Sequence, residues 1–363
     1  MDRVSATPGA ADLLTLRLKN AGASIVLTAL ACAIYGYAPH NRKQMTELFG
    51  SVGYSFIGSE FLVRAALGYM ALLLVYLLVE RNPGISKSLL CLRVAGRFVQ
   101  APSAVWRAGL SRPERIAVLT TLLKGFFGPM MVMSLMVFFM AALANGLAIA
   151  RSGVVVTGFL TVFDRYGYWF LIQLILFVDV SIFTVGYLVE LPSLRNEIRS
   201  VDPTLLGWTA ALICYPPFNT VSGAILGSPV SDFPRFDDPT THLSLNLALL
   251  TLMAIYASAS VALGFKASNL THRGIVARGP YAVIRHPAYV SKNLAWWIGS
   301  VPLVTEAFHQ SMFGGLQAVA SVAGWSMIYI LRALTEEDHL RSVDGEYAAY
   351  ATKVRYRFIP GVI

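Results

Sequence analysis

Charged residues are scarce in this chain of 363 residues. Asp, Glu, Lys and Arg together make up 13% of it, 56% is hydrophobic, and the mean hydropathy is +0.60. A soluble domain carries roughly a quarter of its residues as charged side chains. So few charges cannot cover a water-facing surface of this size. The composition excludes an ordinary soluble enzyme and predicts an all-α polytopic integral membrane protein.

Cysteine is also rare, and the familiar cofactor motifs are missing. Cys32, Cys91 and Cys214 lie far apart without metal-ligand spacing, which excludes a disulfide framework and the common zinc sites. No G-x-G-x-x-G segment follows a strand pattern, so a Rossmann dinucleotide site is excluded as well. His242 and His272 stand alone and are interpreted as interface histidines. No metal is expected.

Long apolar segments are what the sequence has in abundance. A helix that crosses a bilayer needs about 20 mostly apolar residues. About eight segments satisfy this, and the last two, with only His309 and Gln310 between them, are also compatible with a helical hairpin. They lie at about 21–38, 61–79, 120–149, 166–191, 205–226, 243–265, 293–308 and 311–331.

The basic residues predict the orientation. With the N-terminus in the cytoplasm, 22 of the 29 Lys and Arg fall in cytoplasmic segments and five in outer ones. This asymmetry is typical of membrane proteins, in which cytoplasmic loops are enriched in Lys and Arg. It predicts cytoplasmic termini in a plasma, inner or endomembrane, and it explains the net charge of +9 without a nucleic-acid partner.

The composition changes at about residue 240. Residues 1–240 form a transmembrane region of about five spans with a basic cytoplasmic loop at 80–118, and residues 241–363 contain most of the clustered polar side chains. The loop mixes apolar and basic residues at helical spacing. This is interpreted as a helix on anionic lipid, with a docking surface for a partner as the alternative.

The first polar cluster is GPYAVIRHPAYVSKN, residues 279–293, between two apolar segments. A residue before proline is pushed towards extended backbone, so Arg285 and His286 are expected on an ordered bend at the cytoplasmic face. The guanidinium suits a carboxylate or a phosphate, and Tyr281 and Tyr289 supply aromatic walls with polar tips. The alternative is simple anchoring of the helix end to lipid headgroups.

The second cluster is LRALTEEDHL, residues 331–340, at the base of the last span. Arg332 precedes Glu336 by four residues, so the two are expected to pair on one helix face. Apolar residues recur at helical spacing over 340–354 and predict a C-terminal cytoplasmic amphipathic helix that folds back under the membrane. Two carboxylates facing the Arg-His-Pro bend suit a zwitterionic ligand. The alternative is a surface salt-bridge network of little energetic value.

Together the two clusters resemble the isoprenylcysteine carboxyl methyltransferase family and its phospholipid methyltransferase relatives. The resemblance covers about residues 243–363 and implies an S-adenosylmethionine-dependent methyltransferase with a cytoplasmic active site. By the resemblance, Arg285 and Glu337 are the catalytic candidates. The implied cofactor-binding residues are Tyr281, Arg285, His286, Pro287, Tyr289, Glu336 and Glu337. The chain departs from the family at Ser291, where many members have glycine.

The acceptor is expected to be lipophilic, a carboxylate, thiol or amine that enters from the bilayer. Pro216-Pro217 interrupts the fifth predicted span, and irregular backbone at membrane depth is tolerated beside protein or a water-filled cavity. Asp179 lies mid-span, where a carboxylate is costly and marks a functional site or a structural pair. The substrate-pocket candidates are Asp179, Tyr215, Asn219 and Trp296.

Two other functions fit parts of the pattern. Sterol reductases have a similar C-terminal half, and VRYRFIPG at 354–361 resembles their ending, which would imply NADPH and hydride transfer. The adjacent glutamates favour a sulfonium amino acid, since a pyrophosphate prefers basic groups. A non-catalytic scaffold or transporter is the third hypothesis. The expected partners are a lipophilic substrate and membrane lipid.

Overall fold

The computed structural model describes residues 10–51, 54–80, 84–152 and 158–362. These residues are almost entirely helical. The helices are α1 (Ala10–Tyr37), α2 (Arg42–Thr46), α3 (Gly58–Val79), α4 (Lys87–Gln100), α5 (Pro102–Ala108), α6 (Arg112–Arg151), α7 (Phe159–Val162), α8 (Tyr168–Leu188), α9 (Leu205–Leu212), α10 (Phe218–Leu226), α11 (Pro239–Leu263), α12 (Pro287–Gln310), α13 (Met312–Val343) and α14 (Glu346–Lys353). Two antiparallel pairs, β1 (Leu48–Ser51) with β2 (Tyr54–Ile57) and β3 (Ser200–Val201) with β4 (Thr271–His272), are the strands of this part of the chain.

The chain divides into two compact units, Met1–Met133 and Ser134–Ile363. In the first unit, α1 packs against α3 and α4. A Cβ on Gly58, at the start of α3, would lie 2.0 Å from the carbonyl oxygen of Gln44, so this approach requires glycine. The structural division lies inside α6, whereas the composition boundary at about residue 240 lies within the second unit.

The predicted basic loop is helical over most of its described length, and residues 81–83 lie outside the description. Its segment 104–119 is two helices, because α5 ends before Gly109 and α6 starts at Arg112. Gly109 has a φ of 69°, which only glycine adopts readily.

In the second unit, α8, α11, α12 and α13 pack in that order as neighbours. The core joins side chains of α8 and α11 to Phe233 and Ala295. The backbone after α11 passes close against α8 at Gly186, because glycine has no side chain. A Cβ on Gly186 would lie 2.1 Å from the carbonyl oxygen of Ala267. The polar segment between α11 and α12 is thereby held at one end of the helices.

Six helices of the described residues are long and apolar enough to cross a membrane, by length and composition. They are Ala11–Tyr37, Gly58–Val79, Arg112–Arg151, Phe159–Leu188, Pro239–Lys266 and Met312–Val343. The expected count of eight is not supported. The segment 205–226 is the two short helices α9 and α10, separated at Tyr215-Pro216-Pro217, and α12 contains polar side chains such as Lys292 and Glu306.

The sequence patterns did not indicate the β3–β4 pair, which joins segments far apart along the chain. Ser200 pairs with His272 and Val201 with Thr271. The C-terminal tail makes a similar backbone contact, since the N–H groups of Arg285 and His286 donate to the carbonyls of Tyr356 and Arg357 at 3.0 Å. These contacts gather the polar clusters at the ends of α11, α12 and α13.

Candidate functional site

The Arg-His-Pro bend is formed as its sequence requires. His286 precedes α12 with φ of −126° and ψ of 58°, which is neither helical nor fully extended. Pro287 is the first helical residue, a position at which its missing N–H costs nothing. The backbone N–H groups of Arg285 and His286 donate hydrogen bonds to carbonyl oxygens of the C-terminal tail. The bend is therefore fixed on both sides, which sets the direction of both side chains.

Glu337 is the centre of the charged cluster and is fully buried. Arg285 Nη1 donates to Oε2 at 3.0 Å, Arg341 Nη2 at 2.9 Å and Arg357 Nε at 3.1 Å. His286 Nε2 lies 3.2 Å from Oε1. A buried carboxylate is tolerated when charged partners and hydrogen bonds compensate its desolvation. Glu337 thus ties the bend and the tail to α13.

Glu336, the next residue along the helix, has a different environment. Its side chain is 36% exposed, and Oε2 accepts a hydrogen bond from the Tyr289 hydroxyl at 2.9 Å. His286 Nδ1 lies 3.8 Å from the same oxygen. No hydrogen bond to Oε1 is present among the described residues. Glu336 therefore offers a carboxylate oxygen to a ligand, while Glu337 does not.

A cavity lies beside these groups. It is bounded by the bend, α13, the tail helix α14, the end of α11 and, from before residue 240, by Asp202, Gly207, Ala211 and Tyr215. Its walls are rich in tyrosine. Within the described residues the lining tyrosines are Tyr215, Tyr256, Tyr281, Tyr289, Tyr329, Tyr347 and Tyr350. The site is not confined to the predicted domain 241–363.

Two of the residues that line the cavity are cations in aromatic surroundings. Lys292 Nζ lies 5.3 to 5.6 Å from the ring centres of Tyr256, Trp296 and Tyr329. Arg332 Cζ lies 5.1 Å from the Tyr289 ring and 5.2 Å from the Tyr329 ring. Such contacts stabilise a cation on ring faces, and they leave its charge available to an anion.

Arg332 does not make the ion pair with Glu336 that their spacing predicts. Its Nη2 donates to Asn269 Oδ1 at 3.0 Å, and the ion pairs of the described residues do not include an Arg332–Glu336 pair. The cause is a tertiary contact: Asn269, which follows α11, accepts the hydrogen bond from Arg332 in place of Glu336, one turn further along α13. The guanidinium is buried, so this hydrogen bond directs it at the cavity.

The predicted site residues fall into two groups. Those that line the cavity are Tyr281, Arg285, His286, Tyr289, Glu336 and, of the substrate candidates, Tyr215. Those that do not line it are Pro287, Glu337, Asp179, Asn219 and Trp296. Asp179 accepts hydrogen bonds from two lining residues, Tyr256 at 3.0 Å and Ser260, so it supports the wall from behind. Trp296 packs on Tyr329 and Lys292.

Lys292 and Arg332 were not among the predicted site residues. Lys292 follows Tyr289 by three positions and Arg332 precedes Glu336 by four, so each shares a helix face with a predicted residue. That spacing was the available signal. Asn269 and His339 carried no such signal, because both enter the site through contacts between distant segments.

Two tyrosines of the cavity wall, Tyr281 and Tyr350, stay protonated at neutral pH. Burial, with the neighbouring carboxylate Glu336, raises the pKa of Tyr281, and burial raises the pKa of Tyr350 to about 12. The Tyr350 hydroxyl donates to the Tyr281 carbonyl at 2.9 Å. The rings thus present neutral aromatic surface to a ligand, and this hydrogen bond closes the tail helix against the bend.

Comparison of the chain with protein-family models, curated proteins and solved structures gives no match.

His272 gives the fold a dependence on pH. Its Nε2 lies 2.7 Å from Asp344 Oδ2, yet burial outweighs this carboxylate and lowers the pKa of His272 below its ordinary value of 6.5. As pH falls below about 6.5, the unfolded chain binds a proton that the folded chain resists. We therefore expect stability to be fully present above that pH and to decrease on acidification.

The measurement is the melting temperature between pH 5 and 8 for the wild type and His272→Gln. The decrease below pH 6.5 is expected to be smaller in the variant. His309→Gln, which alters an exposed histidine of α12, is the matched control and is expected to follow the wild type. Identical pH profiles for all three proteins would contradict the assignment to His272.

Proposed function

We propose that this chain is an integral membrane S-adenosylmethionine-dependent methyltransferase that acts on a lipophilic acceptor. The observation that carries the proposal is Glu336, which lines a cavity walled by tyrosines and whose Oε1 accepts no hydrogen bond from the described residues. A carboxylate suits the ammonium of an amino-acid ligand. Aromatic faces suit both a sulfonium and a purine. The resemblance of the two polar clusters to the methyltransferase family supports the same ligand.

Each residue of the site has a separate role in this proposal. Glu336 would hold the ligand ammonium, and Tyr289, which donates to Glu336, would fix the direction of that carboxylate. Arg285 would bring positive charge to the wall for the ligand carboxylate, and His286 would help to enclose the ligand beside it. Glu337 contacts both side chains and would act as a positioning residue. Bound S-adenosylmethionine would supply an activated methyl group for direct displacement by a nucleophile.

The two cationic side chains of the cavity wall, Lys292 and Arg332, favour an acidic acceptor. Both face the cavity, while Asp179 lies behind the wall and is engaged by Tyr256 and Ser260. A carboxylate or thiolate would be held and kept deprotonated by these cations, whereas a protonated amine would be repelled. Among the three acceptor classes open from the sequence, we therefore favour an anionic nucleophile, aligned by the two cations.

The surroundings of the cavity support entry from the bilayer. Apolar side chains are exposed beside it, on α9 at Leu205 and Leu206 and near the bend at Val283 and Phe265. Six helices of membrane-spanning length and composition indicate where such surface would be in contact with lipid. In the proposal, the cavity opens at the cytoplasmic face, both termini are cytoplasmic, and α14 lies as an amphipathic helix at the membrane surface.

Equilibrium binding to the detergent-purified full chain tests the proposal. We expect the wild type to bind S-adenosylmethionine and Glu336→Gln to bind it about 10- to 100-fold more weakly, since a hydrogen bond to a charged group contributes about 1.5 to 3 kcal/mol. Glu346→Gln, an exposed glutamate of α14, is the matched control. It is expected to bind like the wild type.

The same titration with NADPH separates the proposed function from its alternatives. Binding of NADPH without binding of S-adenosylmethionine would replace the methyltransferase by a reductase. If a folded sample binds neither compound, the scaffold hypothesis would take its place. Equal affinities of the wild type and Glu336→Gln for S-adenosylmethionine would remove Glu336 from the site.

A further inference from the structure

Basic side chains converge on Gly274, one of the residues that line the cavity. Gly274 has a φ of 95° and no side chain. A Cβ there would lie 3.1 Å from Lys266 Nζ and 3.6 Å from Arg199 Nη1. Two cationic groups from different segments thus converge on one small space beside the backbone. Arg278 lies at the end of the same apolar helix as Lys266, since its Nη2 would be 3.8 Å from a Cβ on Gly264, two residues before Lys266.

The charges of this group are poorly balanced by protein carboxylates. Lys266 is repelled by Arg199, Arg278 and Arg195, and Glu346 is the carboxylate that attracts it. In the described chain, neither Lys266 nor Arg199 has a side-chain ion pair or hydrogen bond to an acidic residue. Asp344, the other nearby acid, lies against His272. Converging like charges destabilise a fold unless an anion lies between them.

The depth of the group indicates which anion. Lys266 is the last residue of the apolar span Pro239–Lys266, and the preceding Phe265 is exposed. Arg278 Nε donates to the carbonyl of Ala262 in the last turn of the same helix at 3.1 Å. The end of an apolar span lies at the level of the lipid headgroups, where basic side chains bind lipid phosphates.

We propose that Lys266, Arg199 and Arg278, around the backbone of Gly274, bind the phosphate of an anionic phospholipid headgroup. The converging cations supply the charge, and the missing side chain of Gly274 leaves the space. Lys266 and Gly274 also line the cavity, so a lipid bound here would lie at the cavity mouth. The proposal does not depend on the methyltransferase activity, because the ligand and the basic residues differ from those around Glu336.

The test titrates the full chain in detergent with phosphatidic acid and with phosphatidylcholine of the same acyl chains. We expect saturable binding of phosphatidic acid and little of the zwitterionic lipid. The double variant Lys266→Gln/Arg199→Gln is expected to bind about tenfold or more weakly, given roughly 1 kcal/mol per basic residue near an anionic surface. The charge-preserving double variant Lys266→Arg/Arg199→Lys is expected to keep most of the affinity.

Arg42→Gln/Lys43→Gln is the matched control, because it removes the same charge from exposed positions at the start of α2. If the neutral double variant does not fold, the single change of the exposed Arg199 to Gln replaces it. Equal loss of binding in the control, or equal binding of both lipids, would overturn the site. Inorganic phosphate or NADPH that binds at these residues in place of phosphatidic acid would overturn the lipid assignment.

Discussion

Glu337→Gln is expected to destabilise the protein by about 3–5 kcal/mol, the loss typical of removing one partner from a buried charge network. The substitution preserves the shape of the side chain and removes its charge. The basic side chains around it would then lie close together without the carboxylate that they all contact. These side chains are Arg285, Arg341, Arg357 and His286. The measurement is thermal unfolding of the full chain in detergent, scored as the shift in melting temperature.

The adjacent Glu336→Gln is the matched control for this prediction. Both substitutions remove one carboxylate from neighbouring positions of α13, but Glu336 is partly exposed and contacts Tyr289 through a single hydrogen bond. We expect its melting temperature to stay close to that of the wild type while it binds S-adenosylmethionine about 10- to 100-fold more weakly. A similar shift in both variants would contradict the separate roles given to the two glutamates.

Lys292→Met is expected to lower the kcat/KM for an acidic lipophilic acceptor by about 10- to 100-fold, while the affinity for S-adenosylmethionine stays unchanged. The ammonium lies among the rings of Tyr256, Trp296 and Tyr329, and Lys292 lines the cavity. Methionine fills that space and packs well on aromatic rings, so the change removes charge with little loss of packing. The lost interaction with an anion accounts for about 1.5 to 3 kcal/mol.

Three acceptors with the same apolar chain make this measurement decisive: dodecanoic acid, dodecanethiol and dodecylamine. The wild type is expected to methylate the acid or the thiol, and Lys292→Met to lose that activity. Lys353→Met, an exposed lysine at the end of α14, is the control and is expected to behave as the wild type. Preference of the wild type for the amine would contradict the acidic acceptor, and it would leave the binding of S-adenosylmethionine standing.

Several features could be predicted from the sequence because they depend on local composition. The apolar segments predicted helices of membrane-spanning length, and six of them have the length and composition required. Proline at position 287 predicted the bend before α12, and the bend is present. The two adjacent prolines predicted a break in the segment 205–226, and α9 and α10 are separate there. Each of these features is decided by neighbours within a few residues.

The count of spans and the pairing of Arg332 could not be predicted in the same way. Counting apolar segments gave eight spans, because local hydropathy alone does not weigh the polar residues of α12 or the shortness of α9 and α10. Helical spacing paired Arg332 with Glu336, but Asn269 from another segment takes the hydrogen bond. A partner that folding brings close competes successfully with one that is close along the helix.

The sequence by itself determined an all-α chain with membrane-spanning segments, and it identified the Arg-His-Pro and Glu-Glu clusters as the polar centre. The tertiary structure alone decided that Glu336 faces a cavity while Glu337 is buried among arginines. It also decided that Lys292 and Arg332 both lie over the ring of Tyr329 and that Lys266 and Arg199 converge on Gly274. The physical reason is that hydropathy and helix signals act between residues near in sequence. The charge around a side chain depends instead on every segment that folding brings within a few ångströms.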